Sequence, residues 1–399
     1  MKRVVVVILL IFMSVNLYCR QANIVHSISN IEHREIKVAM LLPLFYENLD
    51  ELAFDEYNID ERRGRNYKCF SYISFYEGAR IALDDLEKKG YKVSLYVFDV
   101  GENDAKKMQQ ALNYPQMQDM DLIVPLVFKQ SFDIVNNFAK INRIPIINPM
   151  SQSEDILQNP YVFRIQPSLV STYSSLVKYI KSKYSDSKVI VVYDDRYVSA
   201  PELAYFKETL PVTFEKWTLI NYRKNAVKLK NYIDKSCNNF VVNLTYKNNK
   251  TEDRQYYQDL IKMLSKSGCR ITLFSQYDWI DYAGNDIKQL QNMDFHFARP
   301  YYNDYTNDNF VKFVKKYRKH FNTEPNNIYA SLGFDIMMYF IPFLSSCDNV
   351  LSCKEISAEM KDMIHRYKFV RENDNNGSQN TNAVIYKTEN YKIKSCWSL

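Results

Sequence analysis

The sequence is poor in the patterns on which many enzyme and metal sites are built. It contains eight glycines in 399 residues, and no two of them lie three apart. A Gly-x-Gly-x-x-Gly turn and a phosphate-binding loop are therefore excluded. The five histidines lack a metal-ligand spacing such as His-Glu-x-x-His, and no Gly-x-Ser-x-Gly motif occurs. These absences argue against nucleotide-binding, zinc-dependent and serine-hydrolase chemistry, and no cofactor is expected.

Cysteine is also used sparingly. Six cysteines follow the N-terminal segment, and none of them forms a Cys-x-x-Cys motif, which excludes thioredoxin-type and zinc-ribbon spacing. Cys347 and Cys353 close a short loop and are the best disulfide pair. A Cys237–Cys269 bond would join the segments before two predicted strands. Six cysteines allow fifteen pairings, so the remaining connectivity stays open.

The charge pattern excludes a nucleic-acid partner. Net charge is only +6 over 399 residues, and no basic block is interleaved with aromatic residues. Hydrophobic residues make up 46% of the chain, which is enough for a large core and two lobes. The 32 tyrosines could line an aromatic cleft, or they could reflect compositional drift at half-buried positions.

The N-terminal residues read as an export signal. Lys2 and Arg3 precede an apolar run at 4–13, which is too short to span a bilayer and suits a signal-peptide core. We therefore exclude residues 1–22 from the fold and expect a periplasmic or cell-envelope protein. Cys19 could carry a lipid anchor, although the preceding Asn16-Leu-Tyr lacks the small residue that normally stands before such a cysteine.

The first third of the chain alternates strands and helices. Apolar runs at 36–44, 93–100, 121–126 and 143–149 predict strands. Helical spacing follows three of them, with starts expected at Ser74, which forms a capping box with Glu77, and at Ser131. The rhythm over 36–149 predicts one doubly wound α/β lobe. Residues 45–69 form a polar excursion beside the first strand and could cover a cleft.

The pattern then restarts with a helix capped by Ser168. Strands are predicted at 188–195, 214–219, 240–244 and 270–274, with helices at 169–180, 200–210, 226–235 and 254–267. This rhythm predicts a second α/β lobe of similar size, without a detectable sequence repeat. Amphipathic or apolar helices at 310–321 and 330–344 and a last strand at 383–386 complete the pattern.

Four motifs resemble the type I periplasmic solute-binding proteins, which include branched-chain amino-acid-binding proteins and receptor ligand-binding domains. The motifs are Ile123-Val-Pro-Leu, Ile144-Pro-Ile-Ile-Asn-Pro, Phe163-Arg-Ile-Gln-Pro-Ser and Pro325-Asn-Asn-Ile-Tyr-Ala-Ser-Leu-Gly-Phe-Asp. The resemblance implies an α/β fold of two doubly wound, parallel-sheet lobes joined by three crossings near residues 165, 300 and 345. The N-terminal lobe would contain 36–165 with 300–345, and the C-terminal lobe 166–299 with 346–399.

The resemblance also implies a function. Two lobes would close on a small ligand and hand it to the permease subunits of an ABC-type transporter. The protein would then be a monomer or weak dimer and not an enzyme. The implied ligand-binding residues, all at the carboxyl ends of predicted strands, are Phe128, Ser151, Ser153, Tyr193, Asp194, Tyr277 and Asp278.

Simpler roles for these residues stay open. Ser153 could merely cap a helical turn, and Asp278 could be a solvated loop acid. Asp194 and Asp195, like Asp278 and Asp281, form pairs of acids such as a glycosidase uses, but acids at strand ends are also common as caps.

One departure from the family pattern affects the ligand. The family's Gly-Pro-x-x-Ser supplies a hydroxyl to an amino-acid carboxylate, whereas this chain has Val124-Pro-Leu-Val-Phe. Phe128, or Lys129 if the loop shifts by one residue, takes the serine position. An apolar ring would fill that corner, while a lysine would add positive charge. The alternative function is therefore an envelope interaction or sensor protein that keeps the fold without classical amino-acid binding.

Overall fold

The structure is a computed structural model that describes residues 34–46, 68–195, 198–222, 229–244, 250–275, 287–326, 328–347, 349–353 and 359–397. The predicted export signal with Cys19 and most of the predicted 45–69 excursion lie outside these residues. In the part of the chain that the structure describes, no helix has the length and apolar character needed to cross a membrane.

Two seven-stranded sheets, each combined with helices, form the fold. The strands of the first sheet are β1 (Ile36–Leu42), β2 (Val93–Asp99), β3 (Leu122–Pro125), β4 (Ile146–Asn148), β5 (Val162–Arg164), β11 (Phe369–Val370) and β12 (Ser378–Asn380). Those of the second are β6 (Lys188–Tyr193), β7 (Trp217–Asn221), β8 (Asn239–Asn243), β9 (Ile271–Phe274), β10 (His296–Arg299), β13 (Val384–Glu389) and β14 (Lys392–Trp397).

The helices alternate with these strands as the sequence rhythm predicts. They are α1 (Lys68–Glu87), α2 (Ala105–Leu112), α3 (Lys129–Asn142), α4 (Leu169–Lys183), α5 (Pro201–Thr213), α6 (Lys250–Ser265), α7 (Ile287–Asn292), α8 (Asp308–Phe321) and α9 (Tyr329–Ser345). Short 3-10 helices cover Pro115–Asp119, Asp155–Gln158 and Glu359–Asp362. Residues 229–232 are also helical.

Each sheet is mainly parallel. The strand orders are β11-β12-β5-β4-β3-β1-β2 and β14-β13-β10-β9-β8-β6-β7. In the first sheet β1 pairs in parallel with both β2 and β3, and in the second β6 pairs in parallel with β7 and β8. Parallel strands that are buried on both faces of a sheet consist of continuous apolar runs, which is why these strands could be predicted from the sequence. The expected fold class of two doubly wound α/β lobes is confirmed.

Two helix starts predicted from serine caps are wrong. Helix α1 begins at Lys68, so Ser74 lies inside it, and its hydroxyl oxygen lies 3.0 Å from that of Tyr317 on α8. The Tyr317 hydroxyl also donates to Glu77, so both residues of the expected capping box contact another helix. Ser131 is likewise buried inside α3, which begins at Lys129. Ser168 does cap α4, because its hydroxyl accepts from the backbone N–H of Ser171.

The third crossing is not where the resemblance places it. Strands β11 and β12 belong to the first sheet, whereas β13 and β14 belong to the second. The chain therefore crosses at 381–383 instead of near 345, and residues 369–380 are part of the first lobe. The expected assignment of 346–399 to the C-terminal lobe is corrected accordingly.

The predicted short disulfide is present. Cys347 is bonded to Cys353, with a Cα–Cα distance of 5.8 Å. Cys237 and Cys269 are both free, so the bond considered between them is not formed.

Candidate functional site

A cavity of about 400 Å³ lies at the carboxyl ends of β3 and β4. Both strands are buried, and the loops that follow them form its walls. The lining residues are Pro125, Leu126, Val127, Phe128, Lys129, Phe132, Asp133, Asn148, Pro149, Met150, Ser151, Ser153 and Ile156. The structure thus brings together three residues predicted to bind ligand, Phe128, Ser151 and Ser153, among walls that are largely apolar.

The loop after β4 is held by its own side chains. The Asn148 Oδ1 atom accepts from the backbone N–H of Ser151 at 2.7 Å, and the Ser151 hydroxyl accepts from that of Ser153 at 3.0 Å. A hydroxyl that accepts in this way still has its own hydrogen to donate. Ser153 does not cap the next helical turn, because the N-cap position belongs to Glu154. The loop therefore presents the Ser151 hydroxyl as a potential donor to a ligand oxygen.

The corner where the family pattern has serine is occupied by Phe128. Phe128 is 54% exposed, and its backbone N–H donates to the carbonyl oxygen of Glu102 at 2.7 Å. Lys129 is also part of the wall, with its Nζ atom 3.7 Å from Asp133 and 4.0 Å from Asp155. Because two carboxylates offset the lysine charge, the aromatic ring is the dominant feature of this corner.

Arg164, at the end of β5, donates hydrogen bonds to the backbone of the loop that follows β4. Its side chain is fully buried, and its Nη1 atom lies 3.0 Å from the carbonyl oxygens of both Gln152 and Ser153. The same nitrogen donates to Glu154 at 2.9 Å, and Nη2 donates to Gln379 at 2.6 Å. The sequence showed Arg164 only as part of a family motif; its signal was a charged residue inside a short apolar strand.

The carboxylates of Asp99 and Glu102 also lie near this edge of the sheet, and neither was predicted from the sequence. The Asp99 carboxylate, at the end of β2, accepts from the backbone N–H groups of Leu44, Phe45 and Tyr46. It therefore fixes the point where the 45–69 excursion leaves the sheet. Glu102 accepts from the Tyr72 hydroxyl at 2.6 Å. Burial, and secondly this bond to Glu102, raise the pKa of Tyr72, so the phenol stays a donor.

The second sheet also ends in polar side chains, but they do not line this cavity. Tyr193 ends β6 and packs partly against the core, and Asp194 is 1% exposed. Nearby, the Asn243 side-chain amide donates to the Ser275 hydroxyl at 3.0 Å. Tyr193 and Asp194 thus lie in the other lobe from the three cavity residues, whereas Tyr277 and Asp278 lie outside the described residues.

The comparisons agree with this architecture. Residues 68–205 match the family model described as periplasmic binding protein. A branched-chain amino acid ABC transporter periplasmic ligand-binding protein from Burkholderia xenovorans LB400 is 10% identical with a TM-score of 0.57, covering 91% of this chain and 95% of its own. An ABC transporter substrate-binding protein from Desulfitobacterium hafniense, in complex with Leu, is 15% identical with a TM-score of 0.51, covering 91% and 100%.

The chain has the type I periplasmic binding protein fold. The resemblance inferred from the four sequence motifs is therefore confirmed. At these identities the structural likeness establishes the fold and not the ligand. No curated protein matches the sequence.

In this type I fold the three crossings are tied to one another by side chains. Between the first and second crossings, Gln166 donates to the Tyr301 hydroxyl at 2.6 Å. The amide of Asn380, just before the third crossing, donates to the carbonyl oxygen of Ile165 at 2.9 Å. The second crossing is also held by His365, whose Nε2 atom lies 3.1 Å from the backbone nitrogen of Tyr302.

The histidine at this position is itself fixed by a buried acid. The Asp335 carboxylate on α9 lies 2.8 Å from His365 Nδ1 and accepts from the backbone N–H groups of Ile364 and His365. Burial raises the pKa of the Asp335 carboxyl, while its bonds with His365 act in the opposite direction. The motif that ends in Asp335 therefore lies beside the three crossings, which together form the hinge, and not at the cavity.

Proposed function

We propose that the protein is an exported solute-binding protein that captures a small ligand, an amino acid or a related compound, between its two lobes for an ABC-type transporter. The observation that supports this role is the cavity at the carboxyl edge of the first sheet, where Ser151 offers a hydroxyl beside apolar walls. In open α/β sheets ligands bind outside the carboxyl ends of the strands. Permease subunits are the proposed partners, and the role is binding and not catalysis.

The lining favours a ligand with an apolar body and an acceptor group such as a carboxylate. Phe128, Phe132 and Met150 provide apolar surface, while the Ser151 hydroxyl is the donor. We place the second-lobe contribution at the end of β6, where Tyr193 and Asp194 lie, and at Tyr277 and Asp278. An acid from this side would meet a ligand ammonium group.

The test is native mass spectrometry of the mature protein, followed by thermal denaturation with amino acids, aromatic acids, short peptides and sugars. A co-purifying small molecule, or a melting shift confined to one class, supports binding. A ligand present at 100 times its Kd adds about 2.7 kcal/mol to the free energy of unfolding. No mass increment and no shift across the panel would contradict the proposal.

The cavity is tested with Ser151→Ala. Loss of a hydrogen bond to a charged group costs about 1.5–3 kcal/mol, so Kd for a carboxylate ligand should rise about tenfold or more. Ser182→Ala is the matched control, because Ser182 is exposed on α4 and distant in sequence from the cavity loops. Equal affinities of the two variants would place the ligand elsewhere.

Phe128 favours the second candidate function, an envelope interaction or sensor role without classical amino-acid binding. This residue is 54% exposed and stands where the family pattern has a hydroxyl. Phe128→Ser restores that hydroxyl. If wild type binds no free amino acid and Phe128→Ser does, the fold has been retained while the amino-acid site has been lost, and pull-down of an envelope partner becomes the next experiment.

A further inference from the structure

Arg164 contacts both the cavity loop and the strand that leads into the third crossing. Its Nη1 atom holds the carbonyl oxygens of Gln152 and Ser153, and its Nη2 atom donates to the Gln379 side chain at 2.6 Å. Arg164 and Gln379 are also paired residues of the neighbouring parallel strands β5 and β12. One guanidinium group therefore joins the cavity loop to the strand that precedes the third crossing.

The connection continues beyond Gln379 through side-chain amides. Asn380 follows directly, and its Oδ1 atom accepts from the backbone N–H of Lys368 at 2.9 Å and from that of Asn382 at 3.0 Å. Its Nδ2 atom donates to the carbonyl oxygen of Ile165, the residue after Arg164. Residues 381–383 then cross to the second lobe. A displacement of Gln379 would thus be passed to two of the three crossings.

The burial of the Arg164 side chain is energetically unfavourable by itself. Its side chain is fully buried, its carboxylate partner Glu154 is 64% exposed, and its Nε–H has no hydrogen-bond partner among the residues that the structure describes. Burying a cation with incomplete pairing is often less favourable than burying an apolar side chain of similar size. Stability alone therefore does not account for an arginine here, whereas planar donors that reach two segments at once do.

We propose that Arg164 is a positioning residue that couples the cavity loop at 151–154 to the third crossing. A ligand that accepts a hydrogen bond from the Ser151 hydroxyl restricts the motion of the loop and of the carbonyl groups that Arg164 binds. The bond between Arg164 and Gln379 extends this restriction to the third crossing. The inference rests on the proposed function of the same cavity. It does not require the identity of the ligand, because the coupling is a property of the unliganded protein.

The test is hydrogen–deuterium exchange of the unliganded full chain, comparing wild type with Gln379→Met. Gln379 bonds to Arg164 and not to the cavity loop, so a purely local role would leave the loop unchanged. Coupling instead predicts about tenfold or more faster exchange both at 151–154 and at 381–383, as expected from the loss of a charge-assisted hydrogen bond. Gln379→Glu, which keeps an acceptor for Arg164, should restore the wild-type rates.

Gln109→Met is the matched control, because Gln109 is an exposed glutamine on α2. Arg164→Lys keeps the charge but loses the forked geometry, and should accelerate exchange in both segments. Faster exchange confined to 378–383 in Gln379→Met, with the loop at its wild-type rate, would overturn the proposal. The absence of any bound solute in native mass spectrometry, together with no melting shift across the ligand panel, would overturn the proposed function instead, so the two failures are distinguishable.

Discussion

Gly78 and Gly333 allow helices α1 and α9 to pack closely, and replacing either glycine by alanine should lower the free energy of unfolding. A Cβ atom on Gly78 would lie 1.8 Å from the carbonyl oxygen of Ala330, and one on Gly333 would lie 2.0 Å from that of Phe75. Both obstacles are backbone atoms, so no side-chain rotation relieves the overlap. The helices would have to separate by more than 1 Å to reach the shortest contacts that Cβ atoms tolerate, about 3 Å.

The magnitude follows from two opposing terms. Alanine is favoured over glycine inside a helix by about 1 kcal/mol. Separation of the helices disturbs α9, in which every residue from Ala330 to Leu344 is buried, and overpacking of a core costs about 1–3 kcal/mol and sometimes more. Because both obstacles are backbone atoms, the overpacking cost should lie near the upper end of that range, about 3 kcal/mol. After the gain of about 1 kcal/mol in helix propensity, we expect Gly78→Ala and Gly333→Ala each to lower the free energy of unfolding by about 2 kcal/mol. The double variant should cost less than the sum, because one displacement relieves both contacts.

The assay is urea denaturation followed by circular dichroism at pH 7. Gly268→Ala is the control, since a Cβ atom there would meet no atom of the described residues within 4 Å and only the φ of +70° opposes the substitution. That variant should lose about 1 kcal/mol, the ordinary cost of a left-handed conformation. An increase in stability of Gly78→Ala by the helix-propensity value would refute the close approach of α1 and α9.

Three further predictions concern buried polar groups and the disulfide. Asp335→Ala removes the carboxylate that His365 and two backbone N–H groups contact, and should cost about 3–5 kcal/mol in urea denaturation. Burial lowers the pKa of His296, so the unfolded chain binds a proton more readily and stability should fall as pH drops below about 6.5, by up to about 1.36 kcal/mol per unit. His296→Gln should flatten that dependence between pH 7.5 and 5. Cys353→Ser opens a loop with a sequence separation of 6 and should cost about 2 kcal/mol, an effect that reduction of wild type should reproduce.

The central strands were predictable because their environment leaves a strong trace in the sequence. β1, β3, β6 and β8 are almost wholly buried, so their residues are apolar except for one lysine in each of β1 and β6 and the asparagines at the two ends of β8. Strands β11 and β12 leave no such trace. β12 is Ser-Gln-Asn, and its burial comes from pairing with β5, more than 200 residues earlier in the sequence. The position of the third crossing could therefore not be inferred from hydrophobic pattern.

The errors at the helix starts have a similar cause. A serine hydroxyl satisfies a helix N-terminus or a distant side chain equally well, and local sequence does not distinguish the two. Ser74 bonds to Tyr317, which is 243 residues away. The candidate site was easier to predict, because the family motifs place Phe128, Ser151 and Ser153 at the ends of two strands. Arg164 was not assigned a role, because its importance depends on which segments meet around a three-residue strand.

The distribution of apolar and polar contacts suits a molecule whose lobes move. In the described part of the chain the buried apolar side chains form four clusters, each built on one sheet: two contain β1 residues and two contain β6 residues. The crossings are instead tied by amide and imidazole groups of residues such as Gln166, Asn380 and His365. A typical hydrogen bond contributes only about 0.5–1.5 kcal/mol net, because water replaces it when it opens. A change in lobe angle that exchanged a few of these bonds would thus cost little and would leave both cores intact, whereas a hinge sealed by apolar side chains would resist closure.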